Sequence, residues 1–132
     1  MSMRVGIDMI CVNEVRDSLA DHGERYLSRV FSAREVSDCT SGARLSPSRL
    51  AGRFAAKEAA FKALGVSDEA VPWTDIEVLR DPSGAVSLEL TDTAATLARR
   101  EGIVDFAVSL SHEREFATAV VIADCRNTTD CR

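Results

Sequence analysis

Apolar and polar positions change period along this chain, and the changes mark out its elements. In "MRVGIDMICV", Val5, Ile7, Met9 and Cys11 alternate with Arg4, Gly6, Asp8 and Ile10, the period of two expected of a strand. Asn13 can cap a helix over residues 13–22, with Gly23 as its stop. "SARE", Ser32 to Glu35, has capping-box spacing and opens a short helix, after which "CTSGARLS" reads as a polar loop. Ser46 and Pro47 place a cap and a first-turn proline ahead of a helix that Gly65 closes. "TDIEVLRD" and "AVSLEL" flank the turn "DPSG" as a hairpin, and "TDTAATLARREG" is a capped helix ended by Gly102. "IVDFAVSLS" and "FATAVVIAD" pair around the polar turn "HERE". The predicted order is β-α-α-α-β-β-α-β-β in one α+β domain over residues 1–124, with 125–132 as a disordered tail.

The helix closed by Gly65 holds the most chemistry. At 100° per residue, Leu50, Phe54, Phe61 and Leu64 share an arc of roughly 80°, the stripe that faces the core. Alanines at 51, 55, 56, 59, 60 and 63 keep the rest of the helix thin, so that another backbone or a ligand can approach closely. Glu58 lies at one margin of the stripe, and Lys62 follows one turn later. Lys57 projects within the stripe and must either snorkel to an edge or find a partner, because a buried unpaired ammonium is costly. Lys57 and Lys62 are the only lysines in the chain, whose other basic residues are all arginine. Spacing alone favours Glu58–Lys62 as a surface pair worth about 0.3–0.5 kcal/mol, and Asp8 as an exposed carboxylate at a strand end.

Composition narrows the classes. With 132 residues and no apolar run near the roughly 20 residues needed to span a bilayer, the chain reads as a cytoplasmic protein that needs no membrane. The start "MSMRVGIDMI" lacks the parts of a signal peptide. The four cysteines form no CxxC and neither histidine lies near a cysteine pair, which argues against zinc; Cys11 reads as a small buried hydrophobe, and Cys125 and Cys131 fall in the tail. The net charge of −5 is uneven: residues 1–62 carry ten basic and eight acidic side chains, and residues 63–132 carry six and thirteen. Arg25, Arg29, Arg34, Arg44, Arg49 and Arg53 cluster in the first half, as a basic face for an acidic or phosphorylated partner or as a solvated surface. The acidic total and scarce aromatics argue against nucleic acid.

"GID", with Asp8, followed by "RFAAKEAAFKALG" resembles the holo-[acyl-carrier-protein] synthase family of 4′-phosphopantetheinyl transferases. That family's signature is a G-x-D strand end and an aromatic-x-x-K-E-A-x-x-K helix, matched here by Phe54, Lys57, Glu58, Ala59 and Lys62. "RVFSAREV" and "VSLSHEREFATAVVIAD" are also similar to family segments, so the likeness covers most of residues 3–124.

The resemblance implies a phosphopantetheinyl transferase-like domain with an antiparallel sheet packed on the long helix. Its reaction moves 4′-phosphopantetheine from coenzyme A to a serine of an apo acyl carrier protein, dependent on Mg²⁺, with release of 3′,5′-ADP. Asp8 and Glu58 would hold the metal, Glu58 would help remove the serine proton, and Lys62 would neutralise charge on the leaving phosphate. Arg53 and His112 would hold phosphates of coenzyme A. His112 is equally a polar residue of a tight turn. Lys57 would bind the same substrate or support the site, and Gly65 would let it pass near the helix end. The length is similar to the short branch of the superfamily, whose members are homotrimers with sites shared between neighbours. The carrier is one of fatty-acid (lipid) or of polyketide and other secondary metabolism. Where the family shows D-[IV]-x-E-I-x-R, this chain has "DMICVNEVR", with Cys11 and Glu14 in place of an acidic and a basic residue, which bears on carrier docking. A non-catalytic module binding coenzyme A or another nucleotide is the alternative, as is a plain interaction domain.

Overall fold

The N-terminal alternation does form a strand, but its apolar side faces away from the core. The structure, a computed structural model, describes residues 2–67 and 69–126. β1 (Ser2–Cys11) pairs antiparallel with β7 (Phe116–Cys125), which pairs in turn with β6 (Ile103–His112), giving a three-stranded sheet of order β1-β7-β6. One face of this sheet packs on α4 (Pro47–Leu64). That face carries Gly6, Asp8 and Ile10 from β1 and Ala117, Ala119, Val121 and Ala123 from β7. Met3, Val5, Ile7 and Met9 lie on the other face, each between 62% and 68% exposed.

Close approach explains the inversion. A Cβ built on Gly6 would sit 1.9 Å from the carbonyl oxygen of Ala59 and 3.0 Å from the amide nitrogen of Ala63, so only glycine lets β1 lie against the helix. The alanines of α4 are buried at this contact, which is what a thin helix surface permits. Beside Gly6, large side chains on β1 have room only on the outer face, while Ile10 is accommodated in the core further along the strand.

α4 is built as its sequence signals require. The Ser46 hydroxyl accepts a hydrogen bond from the Arg49 amide, Pro47 is the first helical residue, and Gly65 closes the helix at φ 78°. Leu50, Phe61 and Leu64 are buried in the core, and Phe54 and Phe61 flank Trp73 with ring centroids 4.9 and 5.1 Å away. The Ser32–Glu35 capping box is present at the start of α3 (Ala33–Asp38). The predicted hairpin forms as β4 (Ile76–Arg80) and β5 (Val86–Leu90), preceded by a 3-10 turn at Trp73–Asp75 and followed by α5 (Asp92–Arg100).

Four details depart from the expectation. α1 (Val12–His22) starts one residue before Asn13, because β1 runs directly into it and the Val12 amide donates to the Glu115 carbonyl instead of a side-chain cap. A further helix, α2 (Glu24–Val30), follows Gly23 at once; only Leu27 and Val30 are buried in it, too few apolar positions to show a period. Within "CTSGARLS", β2 (Thr40–Ser41) and β3 (Arg44–Leu45) form a two-rung hairpin. Cys125 is the last residue of β7 and is buried, so the sheet extends one residue into the expected tail; residues 127–132 lie outside those described.

Gly6→Ala should lower the free energy of unfolding by about 1–3 kcal/mol or more, because the added methyl meets backbone that cannot step aside. Urea denaturation followed by circular dichroism measures it, and an unchanged midpoint would show that the strand and helix can separate without loss.

Candidate active site

The predicted site residues fall into two groups at opposite edges of the main sheet. At the β1 edge, the Lys62 ammonium donates to the Ile7 carbonyl at 2.8 Å and to Asp8 Oδ1 at 3.2 Å. Lys62 is 55% exposed and Asp8 17%, so the ammonium is open to solvent while the carboxylate is largely enclosed. Asp8 Oδ2 is buried and accepts no hydrogen bond among the described residues. Thr118 Oγ1 donates to the Asp8 carbonyl and ties this strand end to β7. Glu58 is half-buried one turn before Lys62, a spacing that puts Cβ atoms about 5–6 Å apart and the two side chains in the same corner.

At the β6 edge lies a cleft of about 360 Å³. α4 contributes Arg49, Gly52 and Arg53, the β4–β5 hairpin contributes Arg80 and Val86, and β6 contributes His112 at its end. Arg53 is only 4% exposed, and its Nε is buried with no partner among the described residues. One of its terminal nitrogens reaches the Arg49 carbonyl at 3.5 Å, the outer limit of a hydrogen bond. Among the described residues no carboxylate lines this cleft. Arg53 and His112 are therefore brought together as expected, and His112 ends a strand instead of sitting within the turn. Asp8 and Lys62 are not brought to them: β7 lies between, and two interstrand spacings amount to about 10 Å.

Lys57 belongs to neither group, which corrects its reading as a ligand-binding residue. It is wholly buried, its ammonium 2.9 Å from Glu35 Oε1, and it donates to the carbonyls of Trp73, at 3.1 Å, and Ile76. Three partners occupy its three donors, so a ligand finds nothing to bind there. Burial pushes the ammonium below its ordinary range, against the pull of Glu35. Glu35 is used several times over: Oε1 accepts from the Ser32 amide in the capping box, and Oε2 accepts from the Val78 amide at 2.9 Å. The bridge joins α3, α4 and β4. Sequence reading spent Glu35 on its cap and missed the second use, since nothing along the chain links residue 35 to residue 57.

Gly65 caps α4 in a left-handed conformation with open space around it, one turn beyond Lys62. Cys39 is buried, which pushes its thiol up to about 11 and leaves it inert near neutral pH. Cys11 is half-buried, not fully so as its surroundings in sequence suggest. Arg80, which also lines the cleft, was read only as part of the hairpin strand "TDIEVLRD".

Removing one partner of the buried bridge should be far worse than replacing both. Lys57→Met is expected to cost about 3–5 kcal/mol, and Lys57→Met with Glu35→Gln to recover much of that loss, because the uncompensated charge is gone. Unfolding by denaturant reads both; equal stability of single and double variants would deny that the lone carboxylate is the cost.

Comparisons with known proteins bear on this arrangement. Residues 4–121 match the model of the 4′-phosphopantetheinyl transferase superfamily. The holo-[acyl-carrier-protein] synthase of Desulforudis audaxviator is 40% identical over 123 residues, 93% of each chain. That of Gloeobacter violaceus is 40% identical over 118 residues, 89% of each. Among solved structures, a Chronobacterium ammoniagenes ACPS–coenzyme A complex is similar with a TM-score of 0.84 at 32% identity, covering 96% of this chain and 100% of that one. The Helicobacter pylori holo-[acyl-carrier-protein] synthase in complex with coenzyme A is similar with a TM-score of 0.79 at 28% identity, covering 91% and 99%.

Proposed function

This chain belongs to the 4′-phosphopantetheinyl transferase superfamily, as a holo-[acyl-carrier-protein] synthase that moves phosphopantetheine from coenzyme A to an apo acyl carrier protein, and from that premise we propose how its residues divide the work. Asp8 and Glu58 hold Mg²⁺. The buried, unpartnered Oδ2 of Asp8 supports this reading, since hard cations take carboxylate oxygen and Mg²⁺ commonly uses one or two carboxylates with phosphate and water. Bound there, the ion supplies charge neutralisation at the pyrophosphate of coenzyme A.

The serine oxygen of the carrier attacks the phosphorus that bears pantetheine. A new P–O bond forms, the bond to the bridging pyrophosphate oxygen breaks, and 3′,5′-ADP leaves. Glu58, directly or through a water, takes the serine proton. The exposed ammonium of Lys62 stands one helical turn from Glu58 and balances the charge that grows on the leaving phosphate. Arg53 and His112 hold phosphates of the same substrate in the carboxylate-free cleft. Gly65, without a side chain at the helix end, leaves the approach to Lys62 open.

The two groups work together across a subunit boundary. Asp8, Glu58 and Lys62 of one copy meet Arg53 and His112 of the next in a homotrimer. Two observations support this: the groups sit on opposite edges of one sheet, and the outer face of that sheet exposes Met3, Val5, Ile7 and Met9 in a continuous apolar row. The enzyme works in the cytoplasm, where its carrier is one of fatty-acid or secondary metabolism; no described helix is long and apolar enough to cross a membrane. Glu14 in the first turn of α1 suits a carrier with a basic residue at the matching place.

Incubating the chain with coenzyme A, Mg²⁺ and an apo carrier, with intact-protein mass spectrometry as readout, should show gain of one phosphopantetheine that EDTA abolishes. Asp8→Ala and Glu58→Ala should each slow transfer by roughly 100-fold or more without loss of fold; full activity in either removes that residue from the site. Co-expressing Asp8→Ala with His112→Ala should restore up to about a third of wild-type activity, because each mixed ring holds one boundary with both halves intact. No recovery would place all these residues in a single copy.

A further inference from the structure

We propose that Thr118, on β7, is a positioning residue for the Asp8 carboxylate: its hydroxyl holds the peptide that follows Asp8 and so fixes where the carboxylate points. The inference rests on the reading above that Asp8 holds Mg²⁺, and it adds a residue that touches neither metal nor substrate.

The carboxylate is not aimed by its own contacts. Oδ2 is buried and accepts no hydrogen bond among the described residues. Oδ1 takes the Lys62 ammonium at 3.2 Å, longer than the roughly 2.7–2.9 Å of a good charge-assisted bond. Lys62 is itself 55% exposed, so it is a loose guide. The direction of the carboxylate therefore depends on the backbone that carries it.

That backbone is held from both sides. Lys62 of α4 donates to the Ile7 carbonyl at 2.8 Å, and the Thr118 hydroxyl, 110 positions away in sequence, donates to the Asp8 carbonyl at 2.9 Å. These two carbonyls belong to the peptide planes that flank the Asp8 α-carbon, and the torsions between the planes decide the direction of its Cα–Cβ bond. A carbonyl has two lone pairs, so the hydroxyl adds to the β1–β7 pairing of Asp8 with Ala119 without displacing it. β1 ends at Cys11, three residues on, so the hold lies near a strand end.

Thr118 acts through the backbone and not by contact. Ala117 and Ala119 on either side of it are buried against α4, so alternation along β7 turns Thr118 to the outer face, opposite Met9 and Ser111 of the neighbouring strands. The Asp8 side chain lies on the helix side of the sheet with Gly6 and Ile10. Mg²⁺ demands near-ideal octahedral geometry, and a site whose ligand is no longer held to within about 0.5 Å loses affinity.

Valine is close to threonine in shape and in its preference for strands, so Thr118→Val removes the hydroxyl and little else. Titration of the full chain with Mn²⁺ alone, followed by electron paramagnetic resonance, reads the site without turnover. Thr118→Val should weaken Mn²⁺ binding by about three- to tenfold, and Thr118→Ser should bind as the unmodified chain does. In transfer assays Thr118→Val should need more Mg²⁺, with kcat at saturating Mg²⁺ and KM for coenzyme A little changed. A fall in kcat and thermal midpoint together, with no change in the Mg²⁺ requirement, makes Thr118 a merely structural residue and overturns the proposal. Unchanged Mn²⁺ affinity in Thr118→Val, while Asp8→Ala loses it, overturns the role of Thr118 and leaves Asp8 as the ligand. Equal affinity in Asp8→Ala and the unmodified chain sinks the metal reading and this inference with it. Because Thr118 lies on the face read as an interface, light scattering accompanies each titration. Affinity lost only together with dissociation of the oligomer assigns Thr118 to that interface and also overturns the proposal.

Discussion

Everything at the corner formed by Asp8, Glu58 and Lys62 depends on how closely β1 lies against α4. The Gly6 position leaves no room for even one methyl group beside the Ala59 carbonyl, and the buried alanines of α4 extend that contact along the helix. The consequence is geometric. A helix seated so near a strand presents Glu58 and Lys62 at the level of the Ile7 carbonyl and the Asp8 carboxylate, on a rigid scaffold where none of these groups has to be carried by a long loop. Met3, Val5, Ile7 and Met9 of β1 are left as an uncovered row on the opposite face. Tight packing on one face of β1 and exposure of apolar side chains on the other thus have the same origin.

A second constraint lies deeper. Lys57 and Glu35 form an ion pair without solvent, and the surrounding carbonyls and amides satisfy what the pair leaves over. Such a bridge adds little net stability compared with a well-packed apolar pair, but it tolerates few alternative arrangements. Here it fixes the register of β4 against α4. The hairpin that forms one wall of the arginine cleft belongs to a separate two-stranded sheet, so this internal bridge is a principal tie between that wall and the helix.

Much of this was legible in the sequence, for identifiable reasons. Ser46–Pro47, Ser32–Glu35, "DPSG" and Gly65 are local signals, and the structure uses each as its chemistry predicts. The helix motif placed Glu58 and Lys62 on one side of α4, and the G-x-D motif supplied the partner that Lys62 finds. What could not be read was direction and distance. Alternation in β1 says that two faces differ without saying which is covered, and the answer came from Gly6, whose lack of a side chain carries no hydrophobic signal. Helix α2 escaped because two buried residues do not make a period. The stripe position of Lys57 demanded a partner, but Glu35 is distant in sequence and was already explained by its cap. The separation of Asp8 from His112 needs the strand order, which local patterns do not contain.

The hairpin wall has one further consequence. Arg80 stands on a five-residue strand outside the main sheet, at the mouth of a turn held by hydrogen bonds among Asp81, Ser83, Gly84 and Ala85. Substitutions at this tip alter the charge of the cleft without touching Gly6, the alanine contact or the carboxylate corner. The charge of the cleft and the geometry of the Asp8–Lys62 corner are therefore carried by separable pieces of chain.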